Sequence, residues 1–262
     1  MFLTIGELIN STRDEVKKAL KEKDEDFIRR LARAQTEAGA DAIDLNAGES
    51  REKEKSDMEW LIDVVEDEIE DVRIAIDTPD PEVLEFGLEK VKHKPVINSI
   101  SNEKDKQDAR EIASGYDADI IGLAMGAEGM PMTVEDRLNE TEALLEKCDE
   151  LGIAKDQLYV DVIAMTIGSN QEQGQYVIDS VLQIKEEFGV KTNIGLSNVS
   201  FGLPDRCLIN RTVFAMLLEA GLDAALIDPT DTPMMDTLKA AEALLGEDKS
   251  CLGYLKYIRS KS

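Results

Sequence analysis

The feature that most constrains the fold is an alternation repeated along the chain, in which a short aliphatic run precedes a longer charged stretch with helical periodicity. The short runs are FLTIGELI, DAIDLNAG, VRIAID, KPVINSI, ADIIGLAM, QLYVDVIA, KTNIGL and LDAALID. Eight such units in 262 residues match the size of a (β/α)8 barrel, whereas a doubly wound open sheet usually has fewer. The sequence therefore predicts an α/β fold, a (β/α)8 TIM barrel, as a single domain over residues 1–262.

Two of the intervening segments carry helix signals of their own. Between the first two runs, Phe27, Ile28 and Leu31 have helical spacing, and we expect this helix to end near Gly39. Thr133 is followed three residues later by an acid, which predicts the cap of a helix over residues 133–151.

Polar side chains stand where the predicted strands end. They are Glu7, Asn10, Asp44, Asn46, Asp77, Asn98, Asp161, Ser197, Asn198 and Asp228, together with Met125, and with Arg13, Arg137 and Arg206 on nearby segments. In a barrel of this kind, the reactive groups gather at the carboxyl ends of the strands. We therefore expect one ring of carboxylates and amides around a single ligand site.

Asp and Asn side chains together suit a ligand that both donates and accepts hydrogen bonds, such as a fused heterocycle with an amino-pyrimidinone edge. A phosphate ligand would instead favour cations or glycine amides, and neither a Walker loop nor a GxGxxG motif occurs. Alternative roles stay open at single positions. Asp77 and Asp228 could each cap a helix, and Asn198 could be an ordinary turn residue.

Composition excludes several classes of function. The chain has 55 acidic and 30 basic residues, a formal net charge of −25, which disfavours nucleic acids and anionic membranes. The three cysteines are far apart and there is one histidine, so we expect no metal site. The amino terminus lacks the pattern of a signal peptide and no run is long enough to span a membrane, which predicts a cytoplasmic protein.

The same runs carry a resemblance to a known family. The stretches GELIN, DAIDLNAG, MEWL, IDTPD, VINSIS, IIGLAM, LYVDVIA and AGLDAALID, with the long block GLSNVSFGLPDRCLINRTVFAM, look like the methyltetrahydrofolate:corrinoid protein methyltransferases. These enzymes share the pterin-binding barrel of dihydropteroate synthase. The resemblance runs nearly from end to end, and the block that begins at Gly195 is its most specific part.

The resemblance implies roles for individual residues. Asp77, Asn98 and Asp161 would bind the edge of the pterin, and Asn198 would lie beside its N5 atom. Gly195 and Ser197 would shape the same wall, Arg206 would lie near the outer part of the folate, and Asp44 and Asn46 would support the site. Asn198 and Asp161 would be the catalytic residues, and no protein-bound metal would be needed.

The resemblance also implies the substrates and partners. The family moves a methyl group between N5 of methyltetrahydrofolate and the cobalt of a corrinoid on a separate protein, and a homodimer is expected. The chain lacks the DxHxxG pattern of a cobalamin module, so the corrinoid would arrive on that partner. Two alternatives remain: a dihydropteroate synthase-like pterin enzyme, and a folate-binding partner of a corrinoid protein without catalysis.

Overall fold

A computed structural model describes residues 2–48, 50–127 and 129–261, without the side chain of Asp105. Eight parallel strands form one nearly closed barrel in which sequence neighbours pair, and β1 also pairs with β8. The strands are β1 (Leu3–Asn10), β2 (Ala42–Asn46), β3 (Arg73–Asp77), β4 (Val96–Ile100), β5 (Asp119–Leu123), β6 (Leu158–Asp161), β7 (Lys191–Asn193) and β8 (Ala224–Ile227). The prediction of a (β/α)8 barrel is confirmed.

Helices surround the barrel and return the chain to each next strand. They are α1 (Asp14–Glu22), α2 (Glu25–Glu37), α3 (Glu54–Glu68), α4 (Pro81–Lys90), α5 (Gln107–Ala113), α6 (Val134–Glu150), α7 (Glu172–Phe188), α8 (Arg206–Glu219), α9 (Thr232–Leu244) and α10 (Leu252–Ser260). A short 3-10 turn, Leu196–Asn198, follows β7. The predicted cap of α6 is confirmed, because Thr133 and Asp136 form a reciprocal capping box.

The helix predicted from Phe27, Ile28 and Leu31 is confirmed as α2, which ends at Glu37, close to Gly39, whereas the shorter α1 that precedes it between β1 and β2 was not predicted. Two helices occupy that segment because Lys23 adopts a left-handed conformation with φ of 53° and ends α1. Asp24 then caps α2 by accepting a hydrogen bond from the backbone N–H of Phe27. The terminal helix α10 was not predicted either, since it follows the last strand–helix unit and packs against α9.

Alternation along the strands separates two apolar cores. Ile43 and Leu45 of β2 belong to the large core between the strands and the helices, so Ala42, Asp44 and Asn46 face the barrel interior. The interior core consists of Leu3, Ile5, Ala42, Ala75, Val96, Ile121, Tyr159 and Ala224. These apolar side chains fill the interior below the carboxyl ends of the strands. The polar residues at those ends are therefore open to solvent only on the side away from this core.

Ion pairs cover the opposite end of the barrel, at the amino ends of the strands. Arg73 donates to Asp119 at 2.6 Å, and Lys185 donates to Asp223 at 2.7 Å. Asp223 also accepts from the backbone N–H of Thr192, which links β7 to the segment before β8. A ligand therefore reaches the interior from the carboxyl ends of the strands, the end hereafter called the mouth.

Candidate active site at the mouth of the barrel

Strand register brings the first group of polar side chains together. Asn46, Asp77 and Asn98 are register partners across β2, β3 and β4. The amide of Asn46 donates to Oδ2 of Asp77 at 2.9 Å, and the amide of Asn98 donates to Oδ1 of Asp44 at 2.9 Å. Each amide thus uses its N–H group within the protein.

These hydrogen bonds orient the amides. Ser11 donates its hydroxyl to Oδ1 of Asn46, so both ends of that amide are engaged. The Oδ1 atom of Asn98 remains an acceptor for a ligand N–H, because its Nδ2 is held by Asp44. Asp44 and Asn46 thus fix the two residues, Asn98 and Asp77, that the sequence placed at the ligand.

Burial makes the carboxyl groups in this group hard to ionise. Burial, followed by the charge of nearby Asp77, raises the pKa of Asp44 well above its ordinary value, against the opposing hydrogen bond from Asn98. Burial likewise raises the pKa of Asp77, and the hydrogen bond from Asn46 opposes that rise. The two carboxyls form a coupled pair that resists carrying two negative charges at once.

A second group of polar side chains stands across the mouth. Asn193 at the end of β7 donates to Oδ2 of Asp161 at the end of β6, at 2.6 Å. Oδ1 of Asp161 accepts from the backbone N–H of Ile163 at 2.8 Å. Burial raises the pKa of Asp161 to about 6, although these two hydrogen bonds, the nearby backbone N–H of Gly195 and the charge of Arg137 oppose the rise.

The loop after β7 is tied to the first strand. The hydroxyl of Ser197 donates to Oε1 of Glu7 on β1 at 2.8 Å, and Arg206 donates to the backbone oxygen of Ser197 at 2.6 Å. Burial raises the pKa of Glu7, and the hydrogen bond from Ser197 opposes it. Asp228 raises that pKa further, whereas the charges of Arg13 and Arg206 lower it.

A cavity of about 430 Å³ opens beside this loop. Its lining includes Glu7, Ser197, Arg206, Arg13 and Asp228, and also Cys207, Asn210 and Asp231, which the sequence did not single out as site residues. Asp77, Asn98 and Asp161 are not among the lining residues. The predicted site residues thus divide between this cavity and the buried polar groups at the strand ends.

Asn198 occupies the last position of the 3-10 turn, beside that cavity wall. Its side chain is exposed and makes no hydrogen bond within the described part of the chain. A Cβ atom added to Gly195 would lie 3.5 Å from Nδ2 of Asn198, so this amide extends back over Gly195. Asn198 is therefore a turn residue whose amide is available to a ligand.

Arg137, which the sequence analysis noted on a segment near the ring of polar residues, points away from the mouth in the structure. Its guanidinium is fully buried and donates to the backbone oxygens of Val162 and Ile163, at 2.6 and 2.9 Å, and to the side chain of Gln173 at 2.9 Å. Burial lowers its pKa. Arg137 therefore anchors the segment after β6 to α6 and α7.

The structure also shows whether Asp77 and Asp228 cap the helices that follow them. The carboxylate that caps α4 is Asp80, which accepts from the backbone N–H of Glu82, so Asp77 is released for the mouth. Asp228 accepts from the backbone N–H and the hydroxyl of Thr230, as in a turn, and does not cap α9 with its side chain.

Asn193 is a site residue that sequence reasoning missed. It is fully buried, and its Oδ1 atom has no hydrogen-bond partner in the protein. The signal was present in the run KTNIGL, which we interpreted as one strand, whereas β7 ends at Asn193 itself. A polar residue at that boundary is a mouth residue by the same rule that selected Asp161.

The described residues offer neither a metal-binding cluster nor a membrane-spanning helix. Across residues 2–48, 50–127 and 129–261, no group of three or more His, Cys, Asp or Glu side chains is arranged to hold a metal ion. In the same ranges, none of the helices combines the length and apolar character needed to cross a membrane.

Comparison with known proteins agrees with a ligand site of paired carboxylates and amides at the mouth. Residues 6–228 match the family described as "Pterin binding enzyme", and the chain belongs to this family. It is 34% identical to the methylcorrinoid:tetrahydrofolate methyltransferase of Eubacterium limosum, over 98% of this chain and 96% of that one. The family suggested by the sequence motifs is confirmed.

Other relatives share part of their length or the fold. The methionine synthases of Mycobacterium leprae and Mycobacterium tuberculosis are 29% and 27% identical over 86% of this chain, which spans 20% of each of them. The structure of Mycobacterium tuberculosis Rv1207 matches with a TM-score of 0.69 at 18% identity, over 94% of this chain and 93% of that one. At that identity the likeness concerns the fold alone.

Proposed function

We propose that this protein transfers a methyl group between N5 of methyltetrahydrofolate and the cobalt of a corrinoid carried by a separate protein. The observation that supports it best is the pairing of buried carboxylates with amides at one barrel mouth, in a chain that aligns nearly end to end with the Eubacterium limosum enzyme. Residues 1–262 would form one pterin-binding domain.

The paired groups suit the edge of a pterin. Asp77 and Asp161 would accept from the ring and amino N–H groups, and Oδ1 of Asn98 would accept from a further one. Asn98 is held in that orientation by Asp44. Gly195 and Ser197 would form the adjoining wall, and Arg206 would contact the outer part of the folate from the rim.

In the transfer from folate, the N5–CH3 bond breaks while the electron pair of cobalt(I) forms the new Co–CH3 bond. N5 keeps the bonding pair and gains a proton, and in the reverse direction it loses one. Asn198 would assist at N5, because an amide can donate or accept as the charge changes. Asp161 would be the second catalytic residue, since a pKa of about 6 lets it change protonation near neutral pH.

The protein's other contribution to catalysis would be to hold two large substrates in the correct relative position. The corrinoid would arrive as a substrate on its own protein and dock over the mouth, because the interior is apolar and the far end is covered. We further propose a cytoplasmic homodimer, which light scattering coupled to size-exclusion chromatography would test. With a net charge of −25, neither a nucleic acid nor an anionic membrane is proposed as a partner.

The proposal is tested by mixing the protein with methyltetrahydrofolate and free cob(I)alamin and following the visible spectrum of the corrinoid. We expect methylcobalamin to form faster with the protein than without it. Folate binding without transfer, measured by calorimetry, would support a non-catalytic folate-binding partner. Formation of dihydropteroate from pterin pyrophosphate and p-aminobenzoate would support a dihydropteroate synthase-like enzyme.

A further inference from the structure

The side chain of Asn198 has no partner of its own, so its position depends on the turn that carries it. The hydrogen bonds within that turn lie at or beyond the long end of the ordinary range: 3.2 Å from Val199 N to Leu196 O, and 3.4 Å from Asn198 N to Gly195 O. Bonds of this length are weaker than typical backbone bonds. Contacts from outside the turn must therefore fix it.

Three such contacts reach the turn from different directions. At the start of the loop, the backbone N–H of Gly195 faces the carboxyl group of Asp161 closely enough to lower its pKa. Arg206 donates to the backbone oxygen of Ser197 at 2.6 Å, from the exposed side. Glu7 accepts from the hydroxyl of Ser197 at 2.8 Å, from inside the barrel.

The contact from Glu7 differs from the other two. It comes from β1, 190 positions earlier in the chain, and it spans β8, which lies between β1 and β7 in the barrel. The carboxyl group is half-buried, and Asp228 just after β8, Arg13 from the segment before α1 and Arg206 from α8 act on it electrostatically. A hydrogen bond held in such surroundings restricts the hydroxyl of Ser197 more than an exposed one would.

We propose that Glu7 is a positioning residue for methyl transfer, which holds Ser197 through its hydroxyl and thereby sets where the neighbouring Asn198 presents its amide. The inference rests on the proposed function for its effect on rate. A displacement of about 1 Å at a reacting group can slow catalysis a hundredfold, so loss of this hold would affect the chemical step far more than ligand affinity.

The test compares Glu7→Met, which removes the acceptor, with Glu7→Gln, which keeps an acceptor oxygen without the charge. We expect Glu7→Met to slow single-turnover methyl transfer by about tenfold to a hundredfold, with the Kd for folate changed less than about threefold. Glu7→Gln should stay within about threefold of the unmodified protein on both measures. Glu187→Met, at an exposed position on α7, is the matched control.

Ser197→Ala removes the other partner of the same hydrogen bond. It should slow transfer as much as Glu7→Met, and the double variant should be no slower than the slower single variant, because both remove one interaction. Additive losses, or a Glu7→Gln variant as slow as Glu7→Met, would overturn the proposal. If Glu7→Met does not fold, the test compares Ser197→Ala, which should slow transfer, with Glu7→Gln, which should not.

A second readout separates this inference from the proposed function. Backbone hydrogen–deuterium exchange over residues 196–201 should be faster in Glu7→Met and Ser197→Ala, and unchanged in Glu7→Gln and Glu187→Met. This expectation holds whether or not the unmodified protein transfers methyl groups. Unchanged exchange in Ser197→Ala would overturn the positioning role. If exchange is faster in these variants but the unmodified protein transfers no methyl group, the result would count against the proposed function only.

Discussion

Nδ2 of Asn193 donates to Oδ2 of Asp161 at 2.6 Å, while Oδ1 of the same Asn193 amide is buried without a partner. Asp161 ends β6 and Asn193 ends the neighbouring strand β7, and the two residues are register partners. The unpaired oxygen means that the amide can turn over and accept a hydrogen bond when the group opposite becomes a donor.

This relationship predicts that Asp161→Asn stabilises the fold. Since burial raises the pKa of Asp161 to about 6, the native state binds its proton more tightly than the unfolded chain, and this group lowers the free energy of unfolding as pH rises from about 4 to about 6. The variant should lose that slope and gain at most about 3 kcal/mol at pH 7.5. Calorimetric melting across pH measures it, with exposed Asp156→Asn as control. A lower melting temperature at pH 7.5 would contradict the prediction.

Folate binding should depend on the same titration. The ionised carboxylate of Asp161 accepts hydrogen bonds from a ligand better than the neutral acid does, so binding would release its proton. We expect the Kd of methyltetrahydrofolate, measured by calorimetry, to rise up to about tenfold per pH unit as pH falls below about 6. A Kd that stays constant from pH 7.5 to pH 5 would show that Asp161 does not hold the ligand.

Asn198→Ala should separate chemistry from binding. Because the exposed amide makes no hydrogen bond within the described chain, its removal should leave the fold intact and remove only a hydrogen bond to the ligand. We expect methyl transfer to slow by about tenfold to a thousandfold, while the Kd for folate changes less than about threefold. Asn139→Ala on α6 is the control. Equal losses in rate and affinity would refute a role at N5.

Arg137→Lys should damage stability and leave the chemistry of the surviving folded protein unchanged. Lysine cannot supply the divergent donors that reach Val162, Ile163 and Gln173, so buried oxygens lose their partners. The expected loss is about 2–4 kcal/mol in urea unfolding. Lys155→Arg, outside the barrel core, serves as the exposed counterpart. A stable variant with impaired folate binding would contradict this prediction and indicate that Arg137 contacts the ligand.

The sequence was sufficient for the barrel and for most of its mouth. Mouth residues could be located because the polar residues Asp77, Asn98 and Asp161 end or interrupt aliphatic runs, and parallel strands carry such positions to one face. Partners across the barrel could not be read in this way. The bond between Glu7 and Ser197 depends on closure of the barrel, which no local pattern encodes.

Other features that the sequence did not reveal have local physical causes. A charge on a helix usually indicates a solvated face, and the sequence does not show that four backbone and side-chain oxygens accept hydrogen bonds from Arg137 inside the protein. The break between α1 and α2 depends on Lys23 adopting a left-handed conformation, which lysine seldom does. Asn193 was missed because the end of a three-residue strand is set by its neighbours.

A crystal structure of the protein with methyltetrahydrofolate bound tests the central claim most directly. We predict the pterin edge within hydrogen-bond distance of Asp77, Asn98 and Asp161, with N5 facing Asn198. A folate bound elsewhere, or a pterin at the mouth with none of those carboxylates and amides in contact, would contradict the account.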